Sequence, residues 1–89
     1  MDLTPNKKLD KEGIAQALRL AIIGELDAIN LYVQLAEASE NENVKKVLLD
    51  IAEEEKVHVG ELMEVLKKID AEQARALEKA AEEIKELLG

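Results

Sequence analysis

The feature that most constrains the fold is a pair of long stretches of helix-forming residues on either side of the polar run SENEN at 39–43. The chain has one proline, at position 5, and its apolar content is almost entirely leucine, isoleucine, valine and alanine. This composition is typical of an all-α protein. We therefore predict one domain over 1–89 that consists of a short leader and three helices. The leader is 1–9, and the helices cover 10–38, 42–69 and 71–88.

Residues suited to capping mark the expected helix ends. Asp10 and Asn41 can cap the first two helices, because their side-chain oxygens accept hydrogen bonds from free backbone amides. The segment Asp70-Ala71-Glu72-Gln73 resembles a capping box that opens the third helix. Gly89 stands where a C-terminal cap is expected.

The first two predicted helices would each be about 40 Å long. Because only a few residues join them, they are expected to fold back as an antiparallel hairpin. The first helix is apolar on nearly all sides, since 16 of the 23 residues from Ile14 to Ala36 are apolar. A hairpin with one shorter helix leaves much of this surface uncovered. We therefore expect the chain to form homo-oligomers, in which two hairpins make a four-helix bundle.

The charge of the chain narrows its possible partners. A net charge of −8 and a pI near 4.6 favour the attraction of cations and argue against nucleic acid or an anionic membrane as a partner. The absence of cysteine excludes disulfides and thiolate metal sites. The apolar run LRLAII is too short for a membrane span, and the start MDLTPNKK does not resemble a signal peptide. The expected location is the cytoplasm.

Two apolar seams run along the predicted hairpin, and ionisable residues interrupt each seam at its centre. Residues three and four apart share one face of a helix. Glu25 interrupts the first seam, and Glu55 with His58, the single histidine, interrupts the second. The first seam is Ile14, Leu18, Ala21, Glu25, Ala28, Tyr32 and Leu35, and the second is Val44, Leu48, Ile51, Glu55, His58, Leu62, Val65 and Ile69.

The three ionisable residues are expected to converge. Glu25 lies about 15 residues before a turn at 40–41, and Glu55 and His58 lie about 15 and 18 residues after it, so all three are roughly 23 Å from the turn. A carboxylate among aliphatic side chains is costly unless it is paired or binds a metal. Neither seam contains lysine or arginine. Carboxylate oxygens with an imidazole nitrogen suit iron, manganese or zinc.

A glutamate on one helix and a Glu-x-x-His on its neighbour form half of the ligand set of carboxylate-bridged di-iron bundles. Because each chain has one histidine, a complete site needs two chains. Two hairpins would supply four carboxylates and two imidazoles, and the charge of the four carboxylates would balance two Fe²⁺ ions. The ligand count and the uncovered apolar surface therefore both predict a dimer.

The chain resembles the encapsulated ferritins, a branch of the ferritin-like superfamily whose subunit is a half-bundle. The resemblance covers about Ile14 to Leu88. The family pattern is a Glu, a second Glu 30 residues later and a His 3 residues further on, and Glu25, Glu55 and His58 match it. The stretches LAIIGELDAINLY and EEEKVHVGEL are also similar to versions fused to some encapsulin shell proteins.

This resemblance implies ferroxidase activity, the oxidation of Fe²⁺ to Fe³⁺, at a di-iron centre between two subunits. We expect Glu55 to bridge the irons, Glu25 and His58 to be terminal ligands, and dioxygen to take one electron from each iron. The resemblance also implies a ring of dimers, a decamer. This ring would lie inside an encapsulin nanocompartment, joined to the shell by fusion or as cargo, and would serve iron storage and detoxification.

Two further positions have family counterparts. Tyr32 matches a tyrosine beside the metal, and plain core packing is the alternative interpretation. Some family members have two acidic metal-uptake residues one turn apart outside the centre, and the corresponding residues here are Gly24 and Asp27. The resemblance therefore implies a weakened metal-entry site with only Asp27 carried over, and a solvated helix face is the preferred interpretation of Asp27.

Two other functions remain open. One is a non-catalytic helical oligomerisation or docking module that binds metal only to set its assembly. The other is a rubrerythrin-like peroxidase, which is less favoured because the chain has no cysteine for an electron-transfer iron site. Aerobic oxidation of Fe²⁺ distinguishes a ferroxidase from the non-catalytic module.

Overall fold

In the computed structural model, residues 8–89 are described, and this part of the chain forms three helices. Helix α1 spans Lys11–Ala38, α2 spans Glu42–Ile69 and α3 spans Ala71–Leu88. The all-α prediction is confirmed, with α1 and α2 packed as an antiparallel hairpin and α3 packed against α2. No helix among these three is long and apolar enough to cross a membrane. The first seven residues of the expected leader lie outside the described residues.

Side-chain caps hold the start of α1 and the start of α2. Helix α1 begins at Lys11, one residue later than predicted, because Asp10 is extended and its side chain accepts the N–H of Gly13 at 2.7 Å. The side chain of Asn41 accepts the N–H groups of the second and third residues after it, at 3.0 and 3.1 Å. These bonds satisfy amides that have no partner within their own helix. Gly89 follows α3 with a φ of 86°, which glycine adopts readily.

The predicted capping box at the start of α3 forms only in part. Asp70 Oδ1 accepts the Gln73 N–H at 3.1 Å, as the first half of a capping box requires. The side chain of Gln73 does not return this bond, because its Oε1 accepts from Arg19 Nε at 3.3 Å. The Asp70 N–H instead donates to the Leu66 carbonyl at 2.8 Å and ends α2. The prediction of a reciprocal box is therefore wrong.

The core of the hairpin is small. Within residues 8–89, the buried side chains are all apolar, and Ile22 and Leu66 are the large ones. Ala15, Ile22 and Leu66 form one cluster between α1 and α2. Helix α3 contributes no buried residue. The buried residues are Ala15, Ile22, Ala36, Ala52 and Leu66.

The buried residues between α1 and α2 lie one position away from the predicted seams, and three seam residues are partly buried against them. On α1, for example, Ala15 is buried and Ile14 is exposed, and on α2 Leu66 is buried and Val65 is exposed. The prediction that the whole seams are core is therefore wrong for a single chain. Because α1 is apolar on most sides, its pattern does not define which stripe faces α2. Four large apolar residues of the seams are exposed, and we name them the seam patch: Ile14, Leu35, Val44 and Val65.

Candidate metal centre

The symmetry of the hairpin places the two glutamates at the same height. Glu25 lies thirteen residues before Ala38, where α1 ends, and Glu55 lies thirteen residues after Glu42, where α2 begins. At helical rise, both are about 20 Å from the turn. His58 follows Glu55 by three residues and therefore shares its face of α2.

The structure brings the three predicted ligands together. The Nδ1 atom of His58 lies 3.4 Å from Oε2 of Glu55 and 3.6 Å from Oε2 of Glu25. One ligand atom from each residue lies within 4.8 Å of the other two. Glu25 comes from α1 and the other two residues come from α2, so the cluster depends on hairpin packing. Its role as a metal site remains a prediction.

The burial of the cluster is uneven. The side chains of Glu25 and Glu55 are 26% and 19% exposed, whereas that of His58 is 48% exposed. His58 is more exposed than a core position because it lies at the edge of the contact between α1 and α2. Oε2 of Glu25 is buried and has no hydrogen-bond partner among the described residues. A buried acceptor without a partner carries a desolvation cost.

A divalent cation would compensate this arrangement. Two carboxylates and an imidazole are a donor set that fits iron, manganese or zinc. A cation held by Glu25, Glu55 and His58 would give the Glu25 oxygen, which accepts no hydrogen bond from the described residues, a charged partner. The exposed side of His58 leaves room for further ligands from outside the chain. The three residues present therefore fit a metal ion, but they form an incomplete ligand shell.

Tyr32 and Asp27 differ in their position relative to the cluster. Tyr32 is partly buried and lies seven residues after Glu25, so it falls on nearly the same face of α1. Asp27 is exposed and lies about 160° around the helix from Glu25. The structure therefore keeps Tyr32 on the side of the cluster and does not bring Asp27 to it. Gly24, the second position of the uptake pair, is surrounded by open space, because a Cβ added there would have no neighbouring group within 4 Å.

An antiparallel helical hairpin on which a glutamate faces a Glu-x-x-His defines a class of protein, the ferritin-like helical domains. The family model described as Rubrerythrin matches residues 16–87 of this chain. The crystal structure of the encapsulated ferritin domain from Pyrococcus furiosus is 56% identical, with a TM-score of 0.88, and the match covers 94% of this chain and 86% of that chain. The chain belongs to the rubrerythrin family, and its predicted resemblance to the encapsulated ferritins is confirmed.

Two longer relatives carry the same domain. The ferritin-like-encapsulin shell fusion protein of Pyrococcus furiosus is 57% identical over 84 residues, which is 94% of this chain and 24% of that protein. The encapsulin nanocompartment cargo protein EncC of Myxococcus xanthus is 40% identical over 80 residues, which is 90% of this chain and 61% of that protein. The chain therefore spans less than two thirds of the length of either relative.

Proposed function

We propose that this domain is a ferroxidase that oxidises Fe²⁺ to Fe³⁺ at a di-iron centre shared by two copies of the chain. The observation that carries the proposal is the cluster of Glu25, Glu55 and His58, whose ligand atoms lie within 4.8 Å of one another. The buried Glu25 oxygen without a hydrogen-bond partner among the described residues supports a cation at this point. Membership in the rubrerythrin family supports iron as that cation.

The surface around the cluster supports a second copy as the source of the missing ligands. The seam patch is between 37% and 47% exposed, and its residues belong to the same two seams as Glu25 and His58. The chain exposes 7166 Å², whereas a compact protein of 9.9 kDa exposes about 5,200 Å². The difference between these two exposed areas is comparable with the area that a stable protein–protein interface buries. Two seam patches that meet face to face would cover this surface and join two half-sites.

The residues of the paired site would have distinct roles. Glu55 from each copy would bridge two Fe²⁺ ions, and Glu25 and His58 would be terminal ligands. The two Fe²⁺ ions would each lose one electron, and one dioxygen molecule would take up these two electrons with two protons and leave as hydrogen peroxide. The four carboxylates favour the more highly charged Fe³⁺ product through stronger Coulomb attraction. The net charge of −8 would raise the local concentration of Fe²⁺ around the site.

The proposed setting follows the named relatives, which are an encapsulin shell fusion protein and an encapsulin nanocompartment cargo protein. We infer that dimers of this chain assemble into a ring, a decamer, inside an encapsulin nanocompartment in the cytoplasm. The chain would reach the shell by fusion or as cargo. A bundle of two hairpins is too small to enclose a mineral core, so Fe³⁺ would leave the bundle for storage within the shell.

Aerobic addition of Fe²⁺ tests the activity. The parent protein should produce ferric absorbance rapidly, and the Glu55→Ala and His58→Ala variants should lose this phase. Glu54→Ala is the matched control, because Glu54 is an exposed carboxylate next to the cluster. Equal rates in the parent and the His58→Ala variant would show that the site is misassigned. Metal binding without oxidation would favour the non-catalytic module instead.

Native mass spectrometry tests the shared site separately. Anaerobic Fe²⁺ should shift the parent protein towards dimers and larger rings with two ions per pair of chains. The His58→Ala variant should show a smaller shift at the same metal concentration. A monomer population that Fe²⁺ leaves unchanged would contradict a site formed between two copies.

A further inference from the structure

The junction between α2 and α3 is one residue long. Helix α2 ends at Ile69 and α3 begins at Ala71, so Asp70 alone separates them. Asp70 is both the C-cap of α2 and the N-cap of α3, with φ −121° and ψ 97°. Because a residue has only two freely rotating backbone dihedrals, a small change at Asp70 would swing the whole of α3.

One side chain ties this junction to the other arm of the hairpin. Arg19 of α1 forms an ion pair through Nη2 with Asp70 Oδ2, and its Nε donates to Gln73 Oε1 at 3.3 Å. Its Nη1 also lies 3.7 Å from Glu12. Asp70 is 17% exposed at the side chain and Arg19 is 37% exposed. Among the described residues, α3 packs against α2 and not against α1, so Arg19 is a direct link from α1 to the start of α3.

We propose that Arg19 is a positioning residue that holds the one-residue hinge at Asp70 and so fixes the direction of α3 relative to the hairpin. The planar guanidinium suits this task because it donates to two acceptors in a fixed geometry. Charge-assisted hydrogen bonds are also stronger than neutral ones. This proposal rests on the described contacts alone and does not depend on the proposed ferroxidase activity.

The electrostatics of Asp70 agree with the hinge geometry. Its pKa lies below the ordinary value, chiefly because the carboxylate accepts the Gln73 N–H, and Arg19 lowers it further against the opposing effect of burial. The two carboxylate oxygens have separate donors, since Oδ1 accepts from Gln73 and Oδ2 pairs with Arg19. Removing Arg19 would therefore leave the cap of α3 in place and release only the link to α1.

The direction of α3 matters because this helix presents an apolar stripe. Apolar residues recur along α3 at steps of three and four, at positions 74, 77, 81, 84 and 88. Ile84 is 53% exposed and Leu88 is 81% exposed. The hinge therefore decides where this uncovered stripe lies relative to the hairpin.

Distance measurement between spin labels tests the proposal in the full chain. The sequence contains no cysteine, so Gln16→Cys with Lys79→Cys labels α1 and α3 alone, and Gln16→Cys with Lys68→Cys labels the hairpin alone. Dilution with unlabelled protein restricts the signal to pairs within one chain. Each pair is measured in the parent background and in four single variants. These variants are Arg19→Ala, Arg19→Lys, Asp70→Asn and Arg75→Ala.

We expect the α1–α3 distance distribution to be narrow in the parent and to lose its resolved peak in Arg19→Ala. Arg19→Lys should restore part of the peak, because its ammonium can pair with Asp70. Asp70→Asn should broaden the distribution although asparagine remains a good cap. Arg75 is an exposed arginine on α3 outside the hydrogen bonds described above, so Arg75→Ala should resemble the parent. The hairpin distance should stay narrow throughout.

An α1–α3 distribution in Arg19→Ala as narrow as in Arg75→Ala would overturn the proposal. A lysine variant no better ordered than the alanine variant would also contradict a charged link. If Arg19→Ala broadens the hairpin distance as well, the fold itself is disturbed and Asp70→Asn decides the question. If the Asp70→Asn variant broadens the α1–α3 distance distribution and leaves the hairpin distribution narrow, the proposal is supported. If its α1–α3 distribution stays narrow, the proposal is refuted.

Discussion

Replacing Glu25 by methionine should change the stability of the protein in opposite directions with and without metal. Methionine is similar in length to glutamate and is unbranched, so it replaces the carboxylate without opening a large cavity. Without metal, the buried Oε2 of Glu25 lacks a hydrogen-bond partner within the described residues, and it lies 3.6 Å from His58 Nδ1. The substitution removes this buried oxygen, which accepts no hydrogen bond from the described residues, and should raise the free energy of unfolding.

The size of the effect follows from burial. A buried polar group without a partner costs about 1–3 kcal/mol. The side chain of Glu25 is 26% exposed, so we expect a gain at the lower end, about 1 kcal/mol. For a domain of this size, such a gain raises Tm by about 4–8 °C. A free metal concentration of 100 times the Kd should stabilise the parent protein by about 2.7 kcal/mol. The Glu25→Met variant should lose most of this stabilisation.

Urea unfolding followed by circular dichroism measures both effects. All samples need one protomer concentration, because the stability of an oligomer depends on it. One series contains a chelator and the other contains Co²⁺ as a probe that dioxygen does not readily oxidise at this type of site. Glu54→Met is the control, and it should leave the response to metal unchanged. If Glu25→Met is less stable than the parent in the chelator series, then Glu25 stabilises the metal-free protein and the reasoning is refuted.

Three further predictions concern the frame around the cluster. Leu66→Ala removes a fully buried side chain and should lower the free energy of unfolding by about 2–5 kcal/mol in urea unfolding; a loss below about 0.5 kcal/mol would contradict the described core. Asn41→Ala removes the N-cap of α2 and should cost about 1 kcal/mol in the same assay, whereas Asn41→Asp keeps the capping oxygen and should cost little. The pKa of Asp70 lies below its ordinary value of 3.8, mainly through the Gln73 N–H and also through Arg19. The stability that Asp70 contributes is therefore present above about pH 4 and is lost as the pH falls through the lowered folded pKa. In a series of unfolding curves at different pH, Asp70→Asn should reduce the loss of stability at acid pH. An unchanged loss would contradict the assignment to Asp70.

The helix ends were predictable because their signals are local. The side chains of Asp10, Asn41 and Asp70 bind amides two or three residues further along the chain, and such contacts depend on few other parts of the structure. The meeting of Glu25, Glu55 and His58 was also predictable. Their heights depend only on residue counts from the turn, and helical rise varies little.

The rotation of α1 about its own axis could not be predicted in the same way. Its apolar residues cover most of the circumference, so Ile14 and Ala15 are both plausible contacts for α2. The structure buries Ala15 and leaves Ile14 37% exposed. A choice between two such stripes depends on how closely the two helices pack, and the pattern of apolar residues does not contain that information.

The direction of α3 was missed for a different reason. It depends on Asp70 and on a contact with Arg19, which is 51 residues away in the chain. Local capping signals do not reveal a partner at that distance. One signal was nevertheless present, because Arg19 is the single charged residue in the otherwise apolar run ALRLAII. An arginine in such a run needs an acidic or polar partner.

The single-residue junction at Asp70 also determines where the chain can tolerate insertions and deletions. One residue added there would give the junction two more backbone dihedrals, so Asp70 and its contact with Arg19 would no longer fix the direction of α3. A residue added to the three-residue connection at 39–41 would disturb only the tip of the hairpin. Insertions and deletions introduced by random mutagenesis should therefore be tolerated at 39–41 and should disrupt the structure at Asp70.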